Sequence, residues 1–297
     1  MREFQQQRVL VSGGAGMLGS QVLLSVPDSI TAIGTDLKEA PGVEAVGVDL
    51  TRQAAVEAMF AEHGPFTGVI HCAAFTAVDL AEDKPELAMD VNAHACGLLA
   101  TACALLEIPL VIVSTDFVFD GNGQRPYRED DPVGPTSVYG STKLAGEQQA
   151  FAAHPTGTRV VRTQWLYGPR GKHFADTICD LARERGKLKV VDDQIGTPTS
   201  TLELAPALWD VLRFGETGIY HAACEGQASW YDFACAAVEL CGIEGVELTP
   251  CSTSEFPRPA QRPAYSVLDC TRLSVLRGKP LAGWREALST YLGSEAH

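Results

Sequence analysis

The feature that most constrains this chain is a spacing of three glycines. Val9-Leu10-Val11 is a short apolar run that leads into Gly13-Gly14-Ala15-Gly16-Met17-Leu18-Gly19, after which the pattern turns helical. A strand that feeds a helix through Gly-x-x-Gly-x-x-Gly has few physical uses. Gly13 permits the tight turn, Gly16 lets the backbone approach a pyrophosphate, and Gly19 lets the helix lie close to the strand. Met17 and Leu18 sit between them, where the first free N–H groups of the helix receive phosphate oxygens. The order strand, glycines, helix argues for a bound dinucleotide rather than an empty turn. Asp36 follows the next apolar run, 20 residues beyond Gly16, and can accept hydrogen bonds from an adenosine ribose. Its charge would repel a 2′-phosphate and so favours NADH. Lys38, two residues on, softens that preference, so either NADH or NADPH is expected.

Apolar runs and amphipathic stretches then alternate. Strands are expected over 8–12, 30–35, 44–48, 68–71, 110–114 and 158–163, and helices over 16–25, 53–62, 85–106 and 138–153. This alternation implies βαβ units, a parallel sheet and right-handed crossovers. After about residue 165 the pattern loosens, with strands at 187–191 and 218–220, helices at 202–214 and 230–240, and a Pro-rich stretch from Pro250 to Pro263. The expected fold is α/β, a Rossmann-type doubly wound parallel sheet in residues 1–165. A smaller C-terminal substrate lobe in 166–297 interleaves with it.

Composition excludes several classes. The net charge of −14 argues against a nucleic-acid partner, because binding to a phosphate backbone needs a basic surface. The same charge means that an anionic cofactor and substrate must find local positive ends or basic side chains. No apolar run reaches the roughly 18 residues that span a bilayer, and Met1 to Arg8 is polar, unlike a signal peptide. A cytoplasmic protein with no membrane partner is expected. Nine cysteines without a Cys-x-x-Cys pair read as reduced thiols rather than a zinc site or redox dithiol.

The chemistry is read from Ser137-Val138-Tyr139-Gly140-Ser141-Thr142-Lys143. Tyr139 and Lys143, at i and i+4, share one helix face. A free Tyr titrates near pH ~10. A neighbouring ammonium stabilises the phenolate, which suits the pair to proton transfer. Lys143 can also hold the nicotinamide ribose. Thr115, at the end of the strand at 110–114, would hydrogen-bond a substrate carbonyl. Asp49-Leu50 follows the third strand, where such folds touch adenine. Ala73, Ala74 and Phe75, after the fourth, would let the cofactor pass over the sheet edge. His71 alone reads as a packed strand-end residue.

These residues resemble the extended short-chain dehydrogenase/reductases, and within them the dTDP-4-dehydrorhamnose reductases. The likeness rests on the glycine block, residues 114–121 (Ser-Thr-Asp-Phe-Val-Phe-Asp-Gly), 127–131 (Tyr-Arg-Glu-Asp-Asp), 138–147 and 162–168. Residues 193–199 (Asp-Gln-Ile-Gly-Thr-Pro-Thr) and 218–221 (Gly-Ile-Tyr-His) extend it over nearly the whole chain. It implies hydride transfer from NADH or NADPH to C4 of dTDP-4-dehydro-L-rhamnose. Thr115 and Tyr139 would face the keto oxygen, Tyr139 would supply the proton, and Lys143 would tune Tyr139 and hold the cofactor. Asp116 and Trp165 would line the sugar, the indole packing on the deoxyhexose. Arg262 is the main candidate for the substrate diphosphate, with Arg170, Lys172 and Arg258 behind it.

Two departures from the family pattern matter. Tyr265 stands in Arg262-Pro263-Ala264-Tyr265-Ser266 where Asn is common, near the expected nucleotide pocket. Gln21 and Leu202 occupy positions where glutamates would hold magnesium at a dimer interface, so no such metal is expected and the homodimer is left open. Other readings keep the same scaffold: a reductase for a different nucleotide-4-keto-6-deoxyhexose, or a non-catalytic dinucleotide-binding subunit like the β subunit of methionine adenosyltransferase. An epimerase or dehydratase is the third. A dehydratase would want a Glu after Asp116, where Phe117 stands.

Overall fold

A computed structural model describes residues 7–294. Residues 1–6, most of the polar N-terminal segment, lie outside the described residues, as do 295–297. The chain opens with β1 (Gln7–Ser12), α1 (Met17–Leu24), β2 (Ile30–Asp36), β3 (Val43–Val46), α2 (Gln53–His63) and β4 (Gly68–His71). Then come α3 (Val78–Asp83), α4 (Pro85–Met89), a π-helical turn (Asp90–His94), α5 (Ala95–Leu105), β5 (Leu110–Thr115), α6 (Val138–Ala153) and β6 (Thr158–Thr163). The second half runs β7 (Leu166–Tyr167), α7 (Phe174–Glu184), β8 (Lys187–Val191), β9 (Ile195–Gly196), β10 (Thr199–Ser200), α8 (Thr201–Phe214) and β11 (Gly218–His221). It closes with β12 (Ala228–Ser229), α9 (Trp230–Leu240), β13 (Glu247–Cys251), α10 (Thr271–Arg277) and α11 (Trp284–Leu292).

Seven strands form one parallel sheet in the order β11-β6-β5-β4-β1-β2-β3. The order reverses between β1 and β4. In an open α/β sheet that reversal leaves a crevice beyond the carboxyl ends of the strands. Val9, Val11, Leu18 and Val22 pack on one face of the sheet with Leu204, Leu208, Trp209 and Leu212 of α8. The opposite face is covered by α2 and α5, through Val56, Met59, Leu99 and Cys103. A separate cluster builds the smaller lobe from α7, α9 and α11, with Tyr167, Phe233, Leu288 and Tyr291 at its centre. The chain thus crosses back: α8, β11 and α10 follow the start of the small lobe in sequence yet belong to the large sheet.

The strands at 68–71 and 158–163 and the helix at 138–153 keep their expected limits. Others shift. The third strand is Val43–Val46 rather than 44–48, because Gly47 donates to the Asp36 carbonyl and turns the chain. The helix expected over 85–106 carries a π-helical turn at Asp90–His94, a local widening that often marks functional sites. Contrary to the expectation that no stretch is apolar enough, the run Pro85–Leu105 has the length and composition of a membrane span. Here Leu99, Ala100 and Cys103 of that run are buried against the sheet. All nine cysteines are free thiols.

Trp209 is 1 % exposed and its indole N–H donates to the Val22 carbonyl, tying α8 to α1. Trp209→Ala is expected to lower the free energy of unfolding by about 3–5 kcal/mol, measured by urea denaturation.

Candidate active site

A cleft of about 610 Å³ opens at the strand-order reversal. Its walls include Gly13, Gly16, Met17, Leu18 and Gly19 on one side and Thr115, Asp116, Tyr139, Lys143 and Trp165 on the other. Asp36, Asp49, Leu50, Ala73 and Ala74 line it as well. Sites spread over 150 residues of sequence therefore meet in one space because the crossovers bring the ends of β1, β2, β4 and β5 to the same edge.

The glycine turn is built for close approach. Gly13 has φ +70, and a Cβ there would lie 2.7 Å from the Ala73 amide nitrogen. At Gly19 a Cβ would collide with the Gly13 carbonyl. Gly16 is exposed at the start of α1, with no side chain to obstruct the helix N–H groups. This cradle fits a pyrophosphate, since α1 offers its positive end and its free amides there. The Asp36 carboxylate accepts from the Ala15 N–H at 3.1 Å and the Lys38 N–H at 3.1 Å, so it braces the glycine turn from below. Asp49 forms an Asx turn, accepting from the Thr51 N–H and hydroxyl at 3.0 and 2.6 Å. Those bonds hold its carboxyl below the usual range.

At the other end, Tyr139 and Lys143 rise from the first turns of α6, which Ser137 caps by accepting from the Gly140 N–H at 3.1 Å. Two details differ from expectation. Lys143 is buried and its ammonium donates to the Val113 carbonyl at 2.7 Å. Burial pushes its pKa down. The Tyr139 phenol, in turn, is not lowered. Desolvation pushes it up to about 12, Thr115 opposes that rise, and the Asp116 charge adds to it. In this arrangement the phenol is firmly protonated. Thr115 donates its hydroxyl proton to Asp116 Oδ1 at 3.0 Å and accepts from the Phe117 N–H at 3.2 Å. Asp116 is 2 % exposed, and its Oδ2 has no protein partner among the described residues.

Trp165 sits in the left-handed region at φ +47, a strained conformation for a bulky residue. It is held there by stacking on Trp230, with ring centroids 3.7 Å apart and planes 10° from parallel. The Trp230 indole N–H donates to Gln194, which donates to Thr253. A rigid aromatic wall results.

Not every expected residue reaches the cleft. Phe75 is absent from its walls, and its backbone is held by the Asn92 side chain, which accepts from Phe75 N–H at 2.8 Å and donates to its carbonyl at 3.2 Å. Arg262 is also off the walls, forming a bidentate pair with Asp79 at 2.7 and 2.9 Å. Tyr265 packs toward Val118, Phe119 and Leu268 in a small separate cluster. Lys172 lines the cleft, whereas Arg170 and Arg258 are exposed outside it. Gln21 is buried in α1 and Leu202 packs on the small-lobe core. Among the described residues no group of three or more His, Cys, Asp or Glu could hold a metal.

Sequence reasoning missed Asn92, Glu147 and Arg162. Asn92, in the π-helical turn, also donates to Thr142 Oγ1 at 3.1 Å and so ties that turn to α6. Glu147 accepts from Ser114 Oγ at 2.5 Å and pairs with Arg162 at 2.7 Å, all three side chains being buried. The available signal was a Glu within the helix expected at 138–153 and an Arg within the strand expected at 158–163.

Burial raises the Asp116 carboxyl to about 6, with the Ser266 and Thr115 hydroxyls partly offsetting the rise. Its folded pKa thus exceeds its unfolded value near ~3.9. Its contribution to stability is full below pH ~4 and is lost as pH rises through about 6. Asp116→Asn is therefore expected to be more stable than the parent at pH 8, by up to roughly 2–3 kcal/mol. That difference should disappear below pH ~4 in urea titrations across pH.

Known proteins share this fold and much of this sequence. A family described as RmlD substrate binding domain matches residues 7–296. A dTDP-4-dehydrorhamnose reductase of Streptomyces griseus is 41% identical over 97% of this chain and 94% of its own length. A probable dTDP-4,6-dihydroxy-2-methyloxan-3-one 4-ketoreductase of Streptomyces antibioticus is 41% identical over 95% of this chain and 93% of its own. The crystal structure of a dTDP-4-dehydrorhamnose reductase from Bacillus anthracis in complex with NADP superposes with a TM-score of 0.89, at 33% identity, covering 97% of this chain and 99% of that one. With a family match over residues 7–296 and likeness in sequence and fold over almost its full length, this chain belongs to the RmlD family, the dTDP-4-dehydrorhamnose reductases.

Proposed function

We propose that the chain reduces the C4 keto group of dTDP-4-dehydro-L-rhamnose to dTDP-L-rhamnose with NADH or NADPH, as a cytoplasmic enzyme. The observation that carries this reading is the meeting of a pyrophosphate cradle and the Thr115–Tyr139–Lys143 group in one cleft. The names of its relatives supply the substrate class.

Gly13, Gly16 and Gly19, with the backbone at Met17 and Leu18, would seat the dinucleotide phosphates. Asp36 would take the adenosine ribose, Asp49 and Leu50 the adenine. Ala73 and Ala74 leave room beside the sheet edge, and Phe75, held by Asn92, shapes that edge from behind. Bound reduced nicotinamide supplies the hydride. The chain's own task is to hold the carbonyl and deliver a proton. Reduction needs an acid at the keto oxygen, and the Tyr139 phenol, protonated at neutral pH as any phenol titrating at ~10 or above is, would supply it. Thr115 would turn its hydroxyl from Asp116 to the same oxygen, leaving Asp116 to a sugar hydroxyl. Lys143 supports the nicotinamide ribose from α6. The Trp165–Trp230 wall offers an apolar face to the 6-deoxy side of the sugar.

A second reading, a reductase for a different nucleotide-4-keto-6-deoxyhexose, is favoured by the Streptomyces antibioticus relative. It uses the same proton donor and differs in the sugar wall.

Loss of reduced-nicotinamide absorbance is the test, with dTDP-4-dehydro-6-deoxyhexose made in situ by a dehydratase, with and without the epimerase. Oxidation that requires the epimerase is the expected result. Oxidation without it supports the second reading, and none at all overturns both. Tyr139→Phe is expected to lower kcat by about 10²–10⁴-fold. Its affinity for the cofactor, measured by fluorescence titration, should stay within about threefold of the parent, since the phenol oxygen is one contact among many. Turnover within tenfold of the parent would show that another group supplies the proton.

A further inference from the structure

Arg262 is tied down in a way that leaves part of it free. Its Nη1 donates to Asp79 Oδ1 at 2.7 Å and to the Ala260 carbonyl at 2.8 Å, and its Nη2 donates to Asp79 Oδ2 at 2.9 Å. A guanidinium carries five N–H donors in a fixed plane. Asp79 thus occupies the end of the fork. The side of the fork, Nε–H and the second Nη2–H, has no protein partner among the described residues, and the Arg262 side chain is 22% exposed. Two parallel donors on one edge are the geometry that grips two oxygens of a phosphate.

The place of this pair matters as much as its shape. Asp79 lies on α3 beside Val78, which lines the cleft. On the same short helix Glu82 accepts from the Val138 N–H at 2.9 Å, one residue before Tyr139. The strand of chain from Ala260 to Ser266 runs from Asp79 toward the cleft. There Ser266 donates to Gln164, a cleft residue, at 3.1 Å. Arg258 stands close enough to Asp79 to act on it electrostatically. Arg262 and Arg258 are thus two cations set against the acidic helix α3, which carries Asp79, Glu82 and Asp83.

We propose that Asp79 is a positioning residue for an anionic substrate: it grips the end of the Arg262 guanidinium and so presents the Nε–Nη2 edge to a nucleoside diphosphate. The inference rests on the nucleotide-sugar reading above and deepens it. Asp79 does not touch the substrate. It fixes the angle of the side chain that does, and it removes the cost of ordering a long flexible arginine at the moment of binding.

The test is Asp79→Asn in the full-length protein. The pair is part-exposed, so the variant is expected to fold, which circular dichroism checks. The KM for the nucleotide sugar is expected to rise by about tenfold while kcat stays within about twofold, since only binding-site order is lost. The KM for NADPH should not change. Binding of dTDP alone, followed by calorimetry, should weaken by the same factor. Introducing Asp79→Asn into an Arg262→Gln background should cost nothing further, because the two act as one unit. An unchanged or lowered KM overturns the proposal, as does an equal effect on the NADPH KM or full additivity with Arg262→Gln. If the parent protein neither turns over nucleotide sugar nor binds dTDP, the nucleotide-sugar reading itself has failed. If the parent does both and Asp79→Asn matches it, the positioning role alone has failed.

Discussion

The Glu147–Arg162 pair holds the reacting half of the cleft together. Glu147 comes from α6, Arg162 from β6, and Ser114, which donates to the same carboxylate, from β5. Of these elements α6 carries Tyr139 and Lys143, β5 ends on Thr115, and Trp165 lies two residues beyond the end of β6. A fully buried ion pair carries a desolvation cost that its attraction only roughly offsets, but removing one partner strands a charge and costs about 3–5 kcal/mol. The pair therefore acts less as a source of stability than as a register pin. Arg162 also lies 5.1 Å from the centre of the Phe119 ring, which extends the same anchor into the segment after β5.

Around that pin, burial sets the chemistry. The same low-polarity surroundings act on several groups at once and in predictable directions. The Tyr139 phenol and Asp116 carboxyl are raised, Lys143 is lowered, and His71, bonded to Ser12, is pulled down to about 3 and stays neutral. A reductase needs an acid at the carbonyl, not a base, and a phenol titrating at ~10 or above holds its proton at neutral pH. Lys143 on α6 donates one N–H to the Val113 carbonyl, which leaves its charge and its other donors in place.

A strongly acidic chain that handles two anionic ligands meets them with local fields rather than net charge. The first field is the start of α1, where glycines leave free N–H groups uncovered. The second is on α3, outside the cleft walls, where Arg262 and Arg258 act on Asp79. Field strength falls off within roughly 8 Å at physiological salt, so such patches can work against the sign of the whole molecule.

Much of the large sheet was legible in the sequence because its signals are local. Val9 to Val11, Gly13, Gly16 and Gly19 specify a strand, a turn and a helix within a few residues of one another, and the i, i+4 spacing of Tyr139 and Lys143 depends only on helix geometry. The small lobe was less legible. Its helices α7 and α11 and the strand β13, which contains Pro250, have apolar faces defined only by partners far away in the chain. The same distinction holds in the cleft. Residue type and spacing determined which side chains could carry proton transfer and phosphate binding. Only tertiary packing decided that Lys143 turns to Val113, that Tyr139 is raised rather than lowered, that Tyr265 packs on the cluster around Phe119, and that Arg262 meets Asp79 across 183 residues of chain. Hydrogen bonds between distant segments and the loss of water around a buried group are properties of the assembled fold, and no stretch of sequence contains them.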